Sequence, residues 1–224
     1  MINLYFTSCN DMLYMGNNLV ANREDFMSLA SGYVSTNIVQ IWCQLVSLMD
    51  MRRSVDKPKR VFFSEIAFVF FSILRHQHFY LLCFNFLTFK LQIIDNRPLP
   101  EGIKAVQKYE GCPDKLLIAF AKYLATKKIA LARKMRQMTV QYVEMPWQNE
   151  ENAVDCAIYS MRHMQTYAGT SIEDWNSGLD GSPEDNALLT SLRAKYAATI
   201  LMSETNTLLP QVTDAAREIY KQSK

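Results

Sequence analysis

Cys156 sits in the stretch Met145 to Met164, MPWQNEENAVDCAIYSMRHM, behind a polar loop that contains Trp147. Asp155 is placed to cap a helix by accepting from free backbone N–H groups, and Ile158, Met161, Met164 and Ala168 then recur at helical spacing. The thiol therefore opens a helix. In that first turn the positive end of the helix dipole and unpaired N–H groups stabilise a thiolate and lower its pKa, which makes a nucleophile. A lone cysteine at a helix start is more often just a small apolar residue. Its partners must decide.

There are three histidines, His76, His78 and His163. His163 lies seven residues beyond Cys156 on the same expected helix, a rise of about 10 Å, and is read as structural. His78 to Phe84 and Lys90 to Ile94 form a natural hairpin, and a turn centred between Phe86 and Leu87 sets His78 directly opposite Asp95. A carboxylate on one ring nitrogen fixes the tautomer and leaves the other nitrogen to take a proton from a thiol. His76 shares a strand face with His78, and only the hairpin geometry favours His78.

These residues need a sheet and a helix docked on it. A helix with Val39, Trp42, Cys43, Leu45, Val46 and Leu48 on its apolar face is expected after Ser35, Thr36 and Asn37. Short aromatic-rich strands follow at Val61 to Phe63 and Ala67 to Leu74, ahead of the hairpin. From Glu101 the pattern turns helical: Pro113 to Ala125, Lys127 to Met138, Glu184 to Met202 and Thr213 to Lys224, with a strand at Thr139 to Met145. No regular strand–helix–strand alternation appears, so the fold class is α+β with a central mixed or antiparallel sheet flanked by helices. Met1 to Arg23 has no clear period and reads as an extension, and the folded domain begins at Glu24.

Composition narrows the function. With 224 residues, 49% hydrophobic, and only 7 Gly and 7 Pro, the chain has an ordinary globular core. Its formal net charge of +2 argues against nucleic-acid binding, and the Lys/Arg cluster from Lys127 to Arg136, interleaved with apolar residues, reads as a solvated helix face. The five cysteines show no paired framework and no CxxC, so neither disulfides nor a metal site is expected, and a reducing, intracellular compartment fits. Met1 to Val20 lacks the form of a secretory signal. The longest clean apolar run, Ile66 to Leu74, falls far short of the ~20 residues that span a membrane.

His78-Phe79-Tyr80-Leu81, Ile93-Ile94-Asp95-Asn96 and Asn152-Ala153-Val154-Asp155-Cys156, in that order and with those spacings, resemble the ubiquitin-like-protein-specific (SUMO) cysteine protease family. That family shows H-W-x-L, an Asp ending the next strand, and Q-x-N-x-x-D-C-G. The resemblance extends upstream to Phe26-Met27-Ser28-Leu29 and Val34 to Leu45, and downstream to about Asn206, so a catalytic domain over 24–206 with a helical tail over 207–224 is expected. It looks closest to the plant, transposon-associated branch, where P-W before the cysteine loop and M-R-H-M after it are familiar.

The resemblance implies a papain-like architecture with Cys156 as nucleophile, His78 as general base and acid, and Asp95 as the orienting carboxylate. The family's oxyanion-hole Gln belongs six residues before the cysteine, where Glu150 stands, so the role is assigned to Gln148 through a longer loop. Phe79 replaces a Trp that walls the substrate tunnel, and with Trp147 it is expected to bind the Gly-Gly tail. Ala157 replaces the Gly after the cysteine, and Ser72 a Pro common in the branch. The implied partner is SUMO or another ubiquitin-like protein with its conjugates, bound by a cofactor-free monomer in the nucleus or cytoplasm. The departures leave open a catalytically weak or inactive copy that binds such a protein without cutting it.

Overall fold

The computed structural model describes residues 11–51, 68–169 and 171–222. In chain order these form β1 (Met12–Gly16), β2 (Leu19–Asn22), α1 (Arg23–Met27), α2 (Thr36–Met51), β3 (Phe68–Arg75), β4 (His78–Asn85), β5 (Lys90–Ile94), α3 (Ala105–Lys108), α4 (Cys112–Thr126), α5 (Leu131–Met135), β6 (Thr139–Val143), α6 (Cys156–Thr166), α7 (Asp185–Leu201) and α8 (Leu209–Gln222). The strand expected at Val61 to Phe63 lies outside the described residues.

The site is built on a four-stranded sheet in the order β3-β4-β5-β6, antiparallel except for the parallel β5–β6 pair. All eight residues of β4 are buried, because helices cover both faces. On one face Phe79, Leu81 and Cys83 join the α2, α6 and α7 core through Ile38, Trp42, Ile158 and Tyr196. On the other, Tyr80, Leu82 and Phe84 pack with Tyr109, Leu124 and Met135. Full burial of an aliphatic side chain such as Ile158 contributes roughly 1.5–3 kcal/mol, so α6 is held mainly by its apolar face. The Trp42 indole N–H donates to the Met161 carbonyl at 3.1 Å and ties α2 to α6.

Two elements differ from expectation. The described part of the N-terminal segment is a β-hairpin whose Leu13, Tyr14 and Ala21 are buried, turned through Asn17 and Asn18 at φ 51° and 62°. It is stitched to the far end of the chain: Asn206 Nδ2 donates to Leu13 O at 2.9 Å, and Thr207 N to Met15 O at 2.8 Å. Residues 11–22 are thus part of the packed body. The helix expected over Lys127 to Met138 shrinks to Leu131–Met135, because α4 closes with Lys128 N bonded to Ala125 O and Ile129 N to Leu124 O. That closure needs a left-handed residue, and Lys128 supplies it at φ 57°.

Candidate active site

Cys156 is the first residue of α6, 1% exposed, against the start of β4. Asp155 holds the N-cap position, yet contrary to expectation its side chain does not cap the helix. The buried Arg193 of α7 claims that carboxylate, donating from Nε at 2.7 Å, and Asn152 Nδ2 donates to it at 2.9 Å. The same guanidinium donates to Ser28 O at 3.2 Å, Gly32 O at 2.9 Å and Val154 O at 3.2 Å. One side chain thus staples the loop before Cys156 to the loop before α2.

His78 Nε2 lies 2.7 Å from Asp95 Oδ1. The hairpin register differs from the symmetric one: Asn85 pairs with Lys90 and Leu81 with Ile94, so along that register Asp95 faces Tyr80. Asn85 Oδ1 accepts from Leu87 N at 3.0 Å and Thr88 N at 3.1 Å, which shifts the turn centre by one residue and the pairing by two. A slip of two keeps every side chain on its face, and the diagonal neighbour stays within reach of an imidazole. His76 sits instead in the turn from β3 to β4 at φ 48°, exposed, with Nε2 3.2 Å from Glu110 Oε1.

Asp95 is fully buried and held from several sides. Besides His78 it receives the Arg97 N–H at 2.9 Å and the Tyr109 hydroxyl at 2.8 Å, and Lys108 Nζ stands 3.0 Å from Oδ2. Burial alone would raise its carboxyl pKa. The bond and charge of His78, with Lys108 and the Arg97 N–H, outweigh that and hold it below the usual range. Tyr109 is pushed the other way, by burial and by the Asp95 charge.

His78 Nδ1 is buried and makes no hydrogen bond of ordinary length among the described residues. The Cys156 sulfur is 4.0 Å from Gln77 O. Burial would raise the thiol, but His78, the Phe79 backbone N–H and the charges of His78 and Arg97 bring it below its ordinary value. Burial would likewise depress His78, and Asp95 and Cys156 together raise it. The two pKa values move in the directions that favour a thiolate–imidazolium pair.

Gln148 is not directed at the sulfur. Its Nε2 donates to Asp95 O at 2.7 Å and to the Tyr142 hydroxyl at 2.5 Å, while its Oε1 accepts from Met145 N at 3.2 Å. This side chain braces the turn that carries Asp95. Trp147 also departs from expectation: it is 3% exposed and packed edge-on against Trp175 at 5.0 Å, a core residue rather than a cleft wall. Its indole N–H donates to His163 Nε2 at 3.0 Å, and burial lowers that imidazole to about 3, which keeps it a neutral acceptor.

Phe79 does face a cleft. A cavity of about 270 Å³ is lined by Tyr33, Val34, Leu74, Gln77, Phe79 and Cys156. Tyr33, 52% exposed, supplies the aromatic surface that sequence reasoning had given to Trp147. An aromatic in a Ser-Gly loop, outside any helical period, was the available signal. Ala157 is 1% exposed within α6, and Ser72 pairs with Leu81 in an unbroken β3–β4 ladder. Among the described residues no cluster of His, Cys, Asp or Glu could hold a metal ion, and no helix is long and apolar enough to cross a membrane.

Comparison of the whole chain with solved structures gives a consistent set of neighbours. SUMO protease Ulp1 with its catalytic cysteine oxidised to a sulfenic acid superposes at a TM-score of 0.59 and 17% identity, over 88% of this chain and 90% of that one. The C-terminal Ulp1 protease domain in complex with Smt3, the yeast ortholog of SUMO, gives 0.58 and 16% over 91% and 92%. The fold is that of the Ulp1 SUMO protease domain. A further de-sumoylating protease matches at 0.61 and 13% over 95% and 97%, so the likeness to the Ulp1 fold covers nearly the whole chain. No family model and no curated protein matches the sequence.

Proposed function

We propose that the protein is a cysteine peptidase that hydrolyses the bond after the Gly-Gly tail of SUMO or a related ubiquitin-like protein, with Cys156, His78 and Asp95 as its triad. The observation that carries this reading is the Asp95-bound imidazole of His78, which helps hold the Cys156 thiol below its ordinary pKa beside a cleft that Cys156 lines. The Ulp1 fold and the Smt3 complex of one neighbour support the modifier as substrate. The motifs that resemble the plant, transposon-associated branch, and the irregular spacing of the five cysteines, support an intracellular member of that family.

The Cys156 thiolate attacks the carbonyl carbon of the terminal glycine, and the carbonyl π pair becomes an oxyanion. Collapse breaks the carbon–nitrogen bond as the His78 imidazolium gives its proton to the leaving amine. The product is a thioester. His78, neutral again, takes a proton from water, which attacks the thioester and releases the modifier's carboxylate and the thiolate. Asp95 holds the imidazole orientation throughout and stabilises its charged form. The cleft between Tyr33 and Phe79 suits a tail without side chains, leaving the folded body of the modifier to supply most of the affinity.

SUMO and ubiquitin carrying a C-terminal electrophile test this directly. SUMO should form a covalent adduct at Cys156, lost in Cys156→Ala and weak or absent with ubiquitin. A folded protein whose Cys156 is alkylated by a small reagent but labelled by neither probe would replace this reading with that of a binding module.

A further inference from the structure

Acyl transfer needs a donor for the oxyanion besides the Cys156 N–H, and the residue assigned to it from sequence is committed elsewhere. Both N–H groups of the Gln148 amide are taken by Asp95 O and Tyr142 Oη, and its oxygen by Met145 N. Turning it toward the sulfur would strand those groups, at about 1–3 kcal/mol for each buried one. Of the neighbouring amides, Asn152 Nδ2 donates to Asp155, and Asn149 is oriented by its Oδ1, which accepts from the N–H groups of Glu151 and Asn152.

Arg97 is placed differently. Its backbone N–H is fixed on Asp95 Oδ1 at 2.9 Å, two residues past the triad carboxylate. Its guanidinium reaches across to the loop before the nucleophile, with Nη2 3.5 Å from Ala153 O, three residues ahead of Cys156. Nε is buried and has no hydrogen-bond partner among the described residues. A buried guanidinium N–H without an acceptor is costly unless an acceptor arrives during function. The Arg97 charge also reaches the sulfur, since it helps lower the thiol pKa.

We propose that the Arg97 guanidinium, rather than the Gln148 amide, supplies the side-chain donor to the oxyanion formed at Cys156, an inference that rests on the acyl-transfer reading above. A charged, preorganised donor aimed where negative charge develops stabilises the transition state more than the ground state. Its planar fork keeps Ala153 O on one N–H while another takes the oxyanion. The cost of an unsatisfied Nε in the resting protein is then offset in the transition state.

Two small reagents separate this role from any effect on the thiolate. Acylation of Cys156 by the p-nitrophenyl ester of acetyl-Gly-Gly passes through a tetrahedral oxyanion, whereas alkylation by iodoacetamide requires only the thiolate, and neither needs the modifier body. Arg97→Ala leaves the backbone bond to Asp95 in place. Its acylation rate should fall by roughly 10²–10³ while alkylation changes only a few-fold. Arg97→Lys, which keeps the charge and is the milder variant for folding, should fall less. Gln148→Ala should lower both rates together, as loss of a brace does.

Parallel loss of both rates in Arg97→Ala and Arg97→Lys, with the fold intact by circular dichroism, would show that Arg97 serves the thiolate and overturn the inference. Unchanged acylation would overturn it too. So would a selective acylation loss in Asn96→Ala, since the Asn96 amide is also buried without a partner among the described residues. Failure of acyl transfer itself would appear in the unmodified protein, as alkylation of Cys156 without acylation. A protein that acylates normally but ignores SUMO would instead revise only the substrate.

Discussion

Replacing Asp95 with asparagine probes the proposed triad without changing its shape. The carboxylate is fully buried, bonds His78 Nε2 at 2.7 Å, and also receives the Arg97 N–H and the Tyr109 hydroxyl. A hydrogen bond to a charged group contributes about 1.5–3 kcal/mol net, which corresponds to about one to two pKa units of stabilisation for the His78 imidazolium. In Asp95→Asn the imidazole should therefore lose its proton at lower pH, and the thiol, deprived of a charged neighbour, should ionise at higher pH. The thiolate–imidazolium window narrows from both sides.

Alkylation of Cys156 by iodoacetamide, followed by peptide mass spectrometry across pH 4–10, reads this window. The Cys156 peptide is distinguishable from Cys43, whose thiol burial pushes up to about 11. Near neutral pH the Asp95→Asn rate should drop about 10- to 100-fold, and its acid limb should move upward by about one to two units. Stability moves too. Asp95 is depressed in the folded protein, so its contribution is present above its unfolded pKa of about 3.9 and is lost as pH falls through the folded value. The charged His78 is stabilised by folding, so its contribution is complete below about 6.5 and is lost as pH rises through the folded value. Removing one partner of a buried pair costs about 3–5 kcal/mol, so Tm at pH 6 should fall by roughly 6–20 °C for a chain of this size. If the alkylation profile superimposes on that of the unmodified protein while Tm falls, Asp95 is structural and the triad assignment is wrong.

Other substitutions divide the site by role. His78→Ala should abolish hydrolysis of a SUMO-derived fluorogenic amide, whereas His76→Ala, which loses an exposed pairing to Glu110, should leave it within a few-fold. Tyr33→Ala should raise KM for that substrate with little change in iodoacetamide alkylation, because Tyr33 lines the cleft without contributing to the triad. Trp147→Phe removes the donor to a buried His163 acceptor and should lower stability by about 1–3 kcal/mol in urea unfolding. Per unit of folded protein, its activity should be retained.

The local parts of the site were legible because short-range rules produce them. β5 spans Lys90–Ile94 as its pattern predicts, and α6 begins at the cysteine. The face shared by His78 and Asp95 survived a register two residues off, since a period of two is blind to even slips. Illegible features depend on contacts between distant segments or on residue types that break a rule. Lys128 ends a helix in a position usually given to glycine, so the basic cluster read as one continuous helix. Asn17-Asn18 between apolar runs was a usable hairpin signal, and only its packing on residues 206–207 shows that it belongs to the body. Trp147 and Tyr33 could not be told apart from sequence, because which aromatic faces a cleft is decided by the chain that covers the other.

The failed cap at Asp155 shows how the fold reconciles a motif with its chemistry. A carboxylate capping α6 would place a negative charge beside the thiol, raising its pKa and opposing an oxyanion in the same first turn. Here Arg193, reaching from α7, draws the carboxylate away at 2.7 Å and neutralises it. The helix start then lacks its side-chain acceptor, a loss of about 0.5–2 kcal/mol by the usual cost of a missing N-cap. That loss leaves the first-turn N–H groups uncapped by Asp155 at the place where negative charge must form. In the proposed mechanism Asp155 anchors the loop while its neighbour Cys156 reacts, and a residue 38 positions away allows both.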